Sequence, residues 1–319
     1  MMGYVRENGM TRTGRPPATV DDLMVQRFRQ VGAIVIGTTT MTEFGRCPLG
    51  YNSHDQGPFN PYSSHDSKHY PGGSSSGSVV AVMMGLLPLA ISFDGGGSIR
   101  LPAAMSGAFG LAPTYGRIPF DGAGAKSMGM IRGGVVSSTA SDSALAYTIL
   151  AQVESDHFYS KLFGGFGPPK PVLKDYAKIN RFDGLRIGVF WEYLEDAQSE
   201  VVAACKATLD QLKQRGATIV DVSIPHLTML RLAHGISISS DFSAINDHTY
   251  SNHPSGACDN DSTWIGQHFY WSRVSRRQSY ARLGHGTLAK VIRYQDGHFC
   301  DTQLSHHRTP YSRGSTRMR

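Results

Sequence analysis

The chain has 319 residues, enough to bury a sizeable core as one large α/β domain or as two ordinary ones. Hydrophobic residues make up 40% and charged residues 18%, and the longest apolar run, 79–91, is broken by Gly85 and Pro88, which excludes a membrane-spanning helix. The net charge of +6 comes from 264–319, where nine arginines and one lysine face two aspartates, so any nucleic-acid partner would concern that segment alone.

The cysteines and the first residues bear on the compartment. The four cysteines are far apart and form no CxxC pair, which favours reduced thiols over a disulfide or zinc framework. The first twenty residues contain no apolar block that would indicate a secretory signal. We therefore expect an intracellular, cytoplasmic protein, with peripheral association at a membrane left open.

Hydrophobic spacing predicts four elements in the first hundred residues. Asp21 and Asp22 open a helix that has Met24 and Phe28 on one side, and Gly32 follows as its cap. A polar loop between about Cys47 and Gly73 then separates two pairs of elements. The four are a helix over 21–31, a buried strand of parallel-sheet type over 33–37, a helix of small residues over 77–86 and an apolar strand over 87–93.

The rest of the chain predicts a βαβ unit and a divergent tail. Short strands are expected in the Gly- and Pro-rich part over 101–140, followed by a helix over 141–152 and a linker over 163–171. The βαβ unit over 185–222 consists of strand 185–190, helix 199–215 with an apolar face of Val202, Cys205, Leu209 and Leu212, and strand 218–222. We expect an α/β domain over 1–250. For 251–319 we expect a poorly ordered basic tail or sequence foreign to the domain.

Two segments rich in glycine and serine carry the chemistry. They read PGGSSSGS over 71–78 and DGGGSIRLPA over 94–103. Consecutive glycines let backbone N–H groups converge on an anion, and a serine beside such a nest suits acyl transfer. Neither segment matches GxxxxGK[ST] or GxGxxG with a downstream acid, and GxSxG as a strand-to-helix elbow of the α/β-hydrolase kind is not evident. From composition alone, a purely structural turn is an equally good interpretation.

The run over 72–117, which ends in GLAPTYGR, strongly resembles the signature of the amidase-signature family. The similarity extends back through VGAIVIG over 31–37 and MTEF over 41–44, and forward to about His234, which is two-thirds of the chain. Within the family it is most similar to the plant-type fatty acid amide hydrolase branch. The resemblance implies an α/β fold with a mixed β-sheet core flanked by helices on both faces, incomplete here at both ends.

The resemblance also implies a site. The family uses a Ser–cis-Ser–Lys triad, in which Ser98 corresponds to the nucleophile and Ser74 to the bridging serine after a cis Gly73–Ser74 bond. The oxyanion hole would consist of backbone N–H groups, those of Gly95, Gly96, Gly97 and Ser98. The residues that would support these groups without reacting are Ser75, Asp94 and Arg100.

The lysine of the triad has no counterpart in this sequence, because no lysine precedes Lys68. We therefore expect the chain to be truncated at its N-terminus, inside the loop that follows the lysine-bearing strand of the family. Lys68 does not match that lysine, and a solvated loop lysine with a pKa near ~10.4 is a poor base.

Other candidate residues have ordinary explanations. His65, Asp66 and His69 have metal-ligand spacing but belong to a polar loop without further ligands, and Trp191 and Tyr193 follow a strand as core or rim residues. We expect no metal and no cofactor.

The sequence therefore predicts an amidase that hydrolyses carboxamides through an acyl-Ser98 intermediate, with an N-acyl amide of apolar acyl chain as substrate. One alternative is an amidase of the glutamine-amidotransferase type, which releases ammonia from glutamine for a partner enzyme. A second is a catalytically dead fragment or pseudo-enzyme, since the lysine is missing. The expected partner is a small-molecule amide, a homodimer is left open, and nucleic acid is not expected because the tail has no binding module.

Overall fold

The computed structural model describes residues 1–5, 8–9, 16–121, 130–152 and 178–250, with side chains as far as residue 241. Its first helix, α1 (Leu23–Gln30), is capped by Asp22, whose carboxylate accepts a hydrogen bond from the Met24 amide at 2.9 Å. Met24 and Phe28 are buried, as their four-residue spacing predicts. The helix predicted over 21–31 is thus confirmed with slightly narrower bounds.

The apolar stretch over 33–37 is not a strand. Ile34 is 90% exposed and Ile36 is 70% exposed. A strand needs a neighbour to take its backbone N–H and C=O groups, and no strand in the described part of the chain pairs with this stretch. The prediction of a buried strand here is wrong, because an apolar run does not reveal whether a partner strand lies beside it.

The first helix–strand pair of the core follows a polar connection. Residues 47–73 contain no helix or strand, as predicted, and a short 3-10 turn (Glu43–Gly45) precedes them. Helix α2 (Ser76–Met83) buries Val79 and Val82. Strand β1 (Leu89–Asp94) comes next. The helix predicted over 77–86 and the strand predicted over 87–93 are both confirmed within three residues.

Three antiparallel strands, β1, β2 (Phe109–Leu111) and β3 (Arg132–Ser137), form a sheet with the order β1–β3–β2. In the central strand, Val136 is in register with Ala90 of β1 and with Gly110 of β2. The helices that complete this region are α3 (Arg100–Ser106) and α4 (Ala140–Leu150). The last of these confirms the helix predicted over 141–152.

Buried side chains form one cluster on each face of this sheet. Val135 and Val136 are consecutive on β3, so their side chains point to opposite faces. Val135 belongs to a cluster with Met24 of α1 and Leu150 of α4, whereas Val136 belongs to one that includes Val79 of α2. Helices therefore flank both faces of the sheet, as the resemblance implies.

The second sheet is the predicted βαβ unit. Strand β4 (Arg186–Val189) pairs in parallel with β5 (Thr218–Asp221), and two helices lie between them, the short α5 (Trp191–Glu195) and α6 (Ser199–Gln214). Cys205 is exposed, contrary to the predicted helix face, because α6 is only lightly covered and has no fully buried residue. The other positions of that face are half-buried, namely Val202, Leu209 and Leu212.

A long helix that the sequence did not predict, α7 (Leu227–Tyr250), ends the described chain. None of the described helices is long and apolar enough to cross a membrane. The predicted tail over 251–319 and the linker over 163–171 lie outside the described residues. The α/β class is confirmed, and within the described ranges the antiparallel and parallel pairings lie in separate sheets.

Candidate active site

The two glycine–serine segments meet in the structure. The Ser75 amide donates a hydrogen bond to the Ser98 carbonyl at 3.3 Å, which joins the turn before α2 to the loop after β1. Ser74 and Ser75 are buried, whereas Ser98 is half-buried and so reachable from solvent. Helix α2 and strand β1, which connect the two segments, therefore bring Ser98 back beside the turn that contains Ser74 and Ser75.

The Gly73–Ser74 peptide bond is cis, as the resemblance implies. The Ser74 carbonyl accepts the Thr42 amide at 3.1 Å, and the Gly73 amide donates to the Pro48 carbonyl at 2.8 Å. The fit is close, because a Cβ on Gly45 would lie only 3.4 Å from the Ser74 hydroxyl oxygen. The segment over 42–48 therefore fixes the backbone on both sides of this bond.

Asp94 holds the glycine loop from inside the protein. It is the last residue of β1, is fully buried, and accepts hydrogen bonds with both carboxylate oxygens. Oδ1 accepts the Gly97 amide at 3.0 Å and Oδ2 accepts the Ile99 amide at 3.2 Å. Arg100 adds two side-chain donors, Nε to Oδ2 at 3.0 Å and an Nη nitrogen to Oδ1 at 2.8 Å. The loop and the start of α3 are thereby tied to the end of β1.

These contacts determine the charge of Asp94. Burial raises the pKa of its carboxyl group, but the hydrogen bonds from Arg100 and from the Ile99 amide outweigh burial, and the net pKa lies below the usual value. Asp94 is therefore an acceptor of hydrogen bonds rather than a proton donor. Asp94 and Arg100 contact the loop through these atoms, and their supporting role in a reaction stays a prediction.

The backbone amides of the glycine loop differ in whether they have a hydrogen-bond acceptor within the described chain. The Gly97 amide is engaged by Asp94, and Gly97 has a φ of 133°, which suits glycine. Within the described chain, no hydrogen-bond acceptor faces the amides of Gly95, Gly96 or Ser98. Three N–H groups around a half-buried serine are thus available to an outside oxygen.

His234, which the sequence analysis named only as the approximate end of the family resemblance, reaches this loop. The Nε2 atom of His234, on α7, lies 3.0 Å from the Gly95 carbonyl oxygen. Ile238, one turn further, is the nearest side chain to Gly95, since its Cδ1 would lie 3.0 Å from a Cβ there. The i, i+4 spacing of the two residues was the available signal, but nothing in it indicates which part of the chain they contact.

Two buried hydroxyl groups near Ser74 have no hydrogen-bond partner in the described chain. They belong to Thr42, whose amide contacts the Ser74 carbonyl, and to Ser76, the first residue of α2. A third buried residue of the same region, Glu43, accepts a hydrogen bond from Ser53 at 2.8 Å and contacts His54 at 3.1 Å. Sequence reasoning did not single out any of the three.

The other residues considered from the sequence as a base or as metal ligands lie on the polar loop over 47–73. Lys68 is exposed, with its Nζ 4.7 Å from the centre of the Phe59 ring. His65 contacts its neighbour Asp66 on the surface, and His69 contacts the Ser67 hydroxyl. Among the described residues, no group of three His, Cys, Asp or Glu could hold a metal ion.

The two aromatic residues after β4 lie partly or fully at the surface. The Trp191 indole donates to the Asp221 carboxylate at 2.7 Å, and Tyr193 is exposed. Among the described residues, neither side chain belongs to a buried hydrophobic cluster.

The comparisons with known proteins agree with this architecture. A sequence model of the amidase family matches residues 9–286. A fatty acid amide hydrolase of Arabidopsis thaliana is 35% identical over 224 residues, 69% of this chain and 36% of that protein. One subunit of the glutamyl-tRNA(Gln) amidotransferase of Nitratidesulfovibrio vulgaris is 35% identical over 227 residues, 70% of this chain and 45% of that protein.

A crystal structure of an amidase has the same fold, with a TM-score of 0.68 and 22% identity over 93% of this chain and 59% of that one. The chain thus spans less than half the length of the two curated relatives. The match of the family model over most of the chain carries the assignment, and the cis bond and the glycine loop lie within the matched residues. The chain belongs to the amidase-signature family.

Proposed function

We propose that the chain carries the acyl-transfer centre of a carboxamide hydrolase, with Ser98 as nucleophile. The observation that supports this most directly is a set of three amides around a half-buried serine, which have no acceptor among the described residues: those of Gly95, Gly96 and Ser98. Donors held in place before the reaction stabilise a developing oxyanion without reorganising. Because the Gly97 amide already donates to Asp94, we assign the oxyanion to the other three donors and give Gly97 a structural part.

The reaction follows from these assignments. The Ser98 hydroxyl oxygen attacks the carbonyl carbon of the amide, its proton passes to Ser74, and the carbonyl oxygen becomes an anion facing the glycine amides. Collapse of this intermediate breaks the C–N bond, and the proton goes to the leaving amine. Water then attacks the acyl-Ser98 ester and releases the acid, which restores the free hydroxyl. Ser75 supports the step through its amide contact with the Ser98 carbonyl.

The weak point of this centre is the final proton acceptor. No lysine precedes Lys68 in the sequence, and Lys68 itself lies on an exposed loop over Phe59. General-base help contributes roughly 10²–10⁴-fold to such reactions. Lys68, with its Nζ 4.7 Å from the centre of the Phe59 ring, is therefore not assigned as that acceptor.

For the substrate we propose an N-acyl amide with an apolar acyl chain. The similarity to the Arabidopsis fatty acid amide hydrolase supports this class. Apolar side chains next to the glycine loop agree with it, since Ile131 and Ile238 are the nearest side chains to Gly95 and Leu101 is the nearest to Gly97. The similarity to the amidotransferase favours a second candidate, glutamine, with ammonia as the product.

The test is covalent labelling of Ser98 by an alkyl fluorophosphonate, in which the serine oxygen displaces fluoride and the proton goes to the buffer. Peptide mass spectrometry should find the label on Ser98. Ser98→Ala should remove it, while Ser199→Ala, a change at an exposed serine that begins α6, should not. Absence of label from Ser98 in the folded chain would contradict the proposal and favour a pseudo-enzyme.

A competition separates the two substrates. Long-chain N-acyl amides should slow labelling of Ser98 at lower concentration than short-chain ones, and glutamine should have little effect. Protection by glutamine alone would favour the ammonia-releasing reaction and exclude the fatty amide class.

A further inference from the structure

The glycine loop has to be oriented from outside, because glycines place no side-chain restriction on their own backbone. At one end of the loop, Asp94 takes the amides of Gly97 and Ile99. At the other end, the side chain of His234 reaches the loop, with its Nε2 atom 3.0 Å from the Gly95 carbonyl oxygen. The loop is therefore held at two points.

The chemical nature of the two atoms fixes the direction of the hydrogen bond between His234 and Gly95. A carbonyl oxygen can only accept, so the His234 Nε2 atom carries the proton and donates it. The contact is available to the neutral Nε2–H form and to the imidazolium alike. The ring is close to the next residue as well, since its Cε1 would lie 3.6 Å from a Cβ on Gly96.

The position of the Gly95 carbonyl determines where the Gly96 amide points. A trans peptide unit is planar, and its C=O and N–H bonds point to opposite sides. The Gly95–Gly96 bond is not among the cis bonds of the described chain. A donor that holds the Gly95 oxygen on the side of α7 therefore turns the Gly96 N–H to the opposite side, where it has no acceptor within the described residues.

We propose that His234 is a positioning residue for the oxyanion site, which orients the Gly96 amide through the Gly95 carbonyl. The inference rests on the proposed function, because it assigns His234 to the same oxyanion site. In this proposal His234 acts through the Gly95–Gly96 peptide unit, which its Nε2 atom contacts at the Gly95 carbonyl oxygen. Ile238, on the same face of α7, fixes the distance between the helix and the loop.

The experiment measures binding of an alkylboronic acid by calorimetry, a readout that does not need turnover. Boron accepts a lone pair of the Ser98 oxygen, the serine proton goes to the buffer, and the tetrahedral boronate directs an oxygen at the glycine amides. His234→Leu should weaken boronate binding roughly tenfold, the upper range for loss of one hydrogen bond. His234→Gln, which keeps a donor near the Nε2 position, should restore binding to within about twofold of the unchanged chain.

Two further variants separate this effect from general damage. His234→Asn keeps a polar side chain too short to reach the carbonyl, so it should behave like the Leu variant. His65→Leu, the same change at an exposed loop histidine, should bind the boronate normally. All four variants should keep the thermal unfolding midpoint of the unchanged chain, because both histidines are exposed.

The outcomes are distinguishable. Unchanged boronate affinity in His234→Leu, or failure of the Gln variant to restore it, would overturn the positioning role while leaving Ser98 as nucleophile. Ser98→Ala should abolish boronate binding in every background. Binding that survives Ser98→Ala would instead refute the proposed function, and the present inference with it.

Discussion

Asp94 is the residue on which most of the site depends. One carboxylate joins β1, the glycine loop and α3 through the amides of Gly97 and Ile99 and the side chain of Arg100. The motif over 94–103 was enough to name Asp94 and Arg100 as supporting residues. The sequence did not predict which glycine amide donates to Asp94, because that depends on which amide the buried carboxylate faces.

We expect Asp94→Asn to lower the free energy of unfolding by roughly 2–3 kcal/mol, because the amide loses one acceptor and places an NH₂ group against donors. Urea unfolding at neutral pH measures this. Arg100→Gln is the matched comparison and should have a smaller effect, since the Arg100 side chain is 56% exposed and solvent screens its charge. Equal losses in the two variants would mean that the backbone contacts of Asp94 contribute nothing.

The lowered pKa of Asp94 also gives a pH dependence. A carboxyl group whose folded pKa is depressed contributes stability that is complete above its unfolded pKa, near ~3.9, and that disappears as pH falls through the folded value. The stability difference between the unchanged chain and Asp94→Asn should therefore be constant above pH ~5 and shrink below pH ~4. A difference that grows as pH falls would contradict the assignment.

Thr42 offers a stabilising change at the edge of the site. Its hydroxyl is buried without a partner in the described chain, and the hydrogen bond from its amide to Ser74 does not involve the side chain. Thr42→Val should raise the free energy of unfolding by about 1 kcal/mol, because an unsatisfied hydroxyl disappears at nearly constant shape. Thr139→Val should lower it by about 1 kcal/mol, since that hydroxyl caps α4 by accepting the Asp142 amide. Urea unfolding that shows the same sign for both changes would be the contrary result.

Elements were predicted well where the signal is local. Local composition and spacing were sufficient for α1, α2 and α4 and for the βαβ unit, since each carries its signal within its own residues. Pairing between distant segments left no such signal. The strand over 33–37 was therefore predicted wrongly, the antiparallel partner of β1 was not identified, and α7 was missed, because its apolar residues do not form a clean stripe.

The centre of the sheet predicts a sharp contrast between two glycines. A Cβ on Gly134, in β3, would lie 2.1 Å from the Leu111 carbonyl oxygen of β2, whereas a Cβ on Gly235, in α7, would meet nothing within 4 Å. Gly134→Ala should therefore separate β2 from β3 and lower the thermal unfolding midpoint by several degrees. Gly235→Ala should leave it unchanged or raise it slightly, because alanine favours helix. A harmless Gly134→Ala would show that β2 is not held against β3.

At the scale of the whole molecule, the site is predictable only in part. Ser74 and Ser98 are close in sequence and their motif is continuous, so a resemblance over 72–117 is enough to name them. His234 lies 139 residues from the carbonyl it contacts, and no spacing rule connects the two. The proposed roles of Ser74, Ser98 and the glycine amides therefore come from local sequence, and the second support of the loop comes only from the fold.

The tail over 264–319 gives a prediction of the same scale, although it lies outside the described residues. Its lack of an apolar period leads us to expect that it is removable without unfolding the rest. Limited proteolysis followed by mass spectrometry should cut there before it cuts within 185–222. Equal protection of the two regions would contradict the expectation.

The register between β1 and β3 determines how substitutions in these strands would affect the site at the end of β1. Asp94 is paired with Arg132, and side chains alternate between faces, so a slip of one residue would turn the carboxylate away from the loop it anchors. Paired strands cannot shift by less than one residue, so in each molecule the Asp94 carboxylate either faces the loop or does not. Substitutions in β3 should therefore lower the amount of Ser98 that the fluorophosphonate labels per mole of protein. The rate constant for labelling of the remaining sites should stay the same.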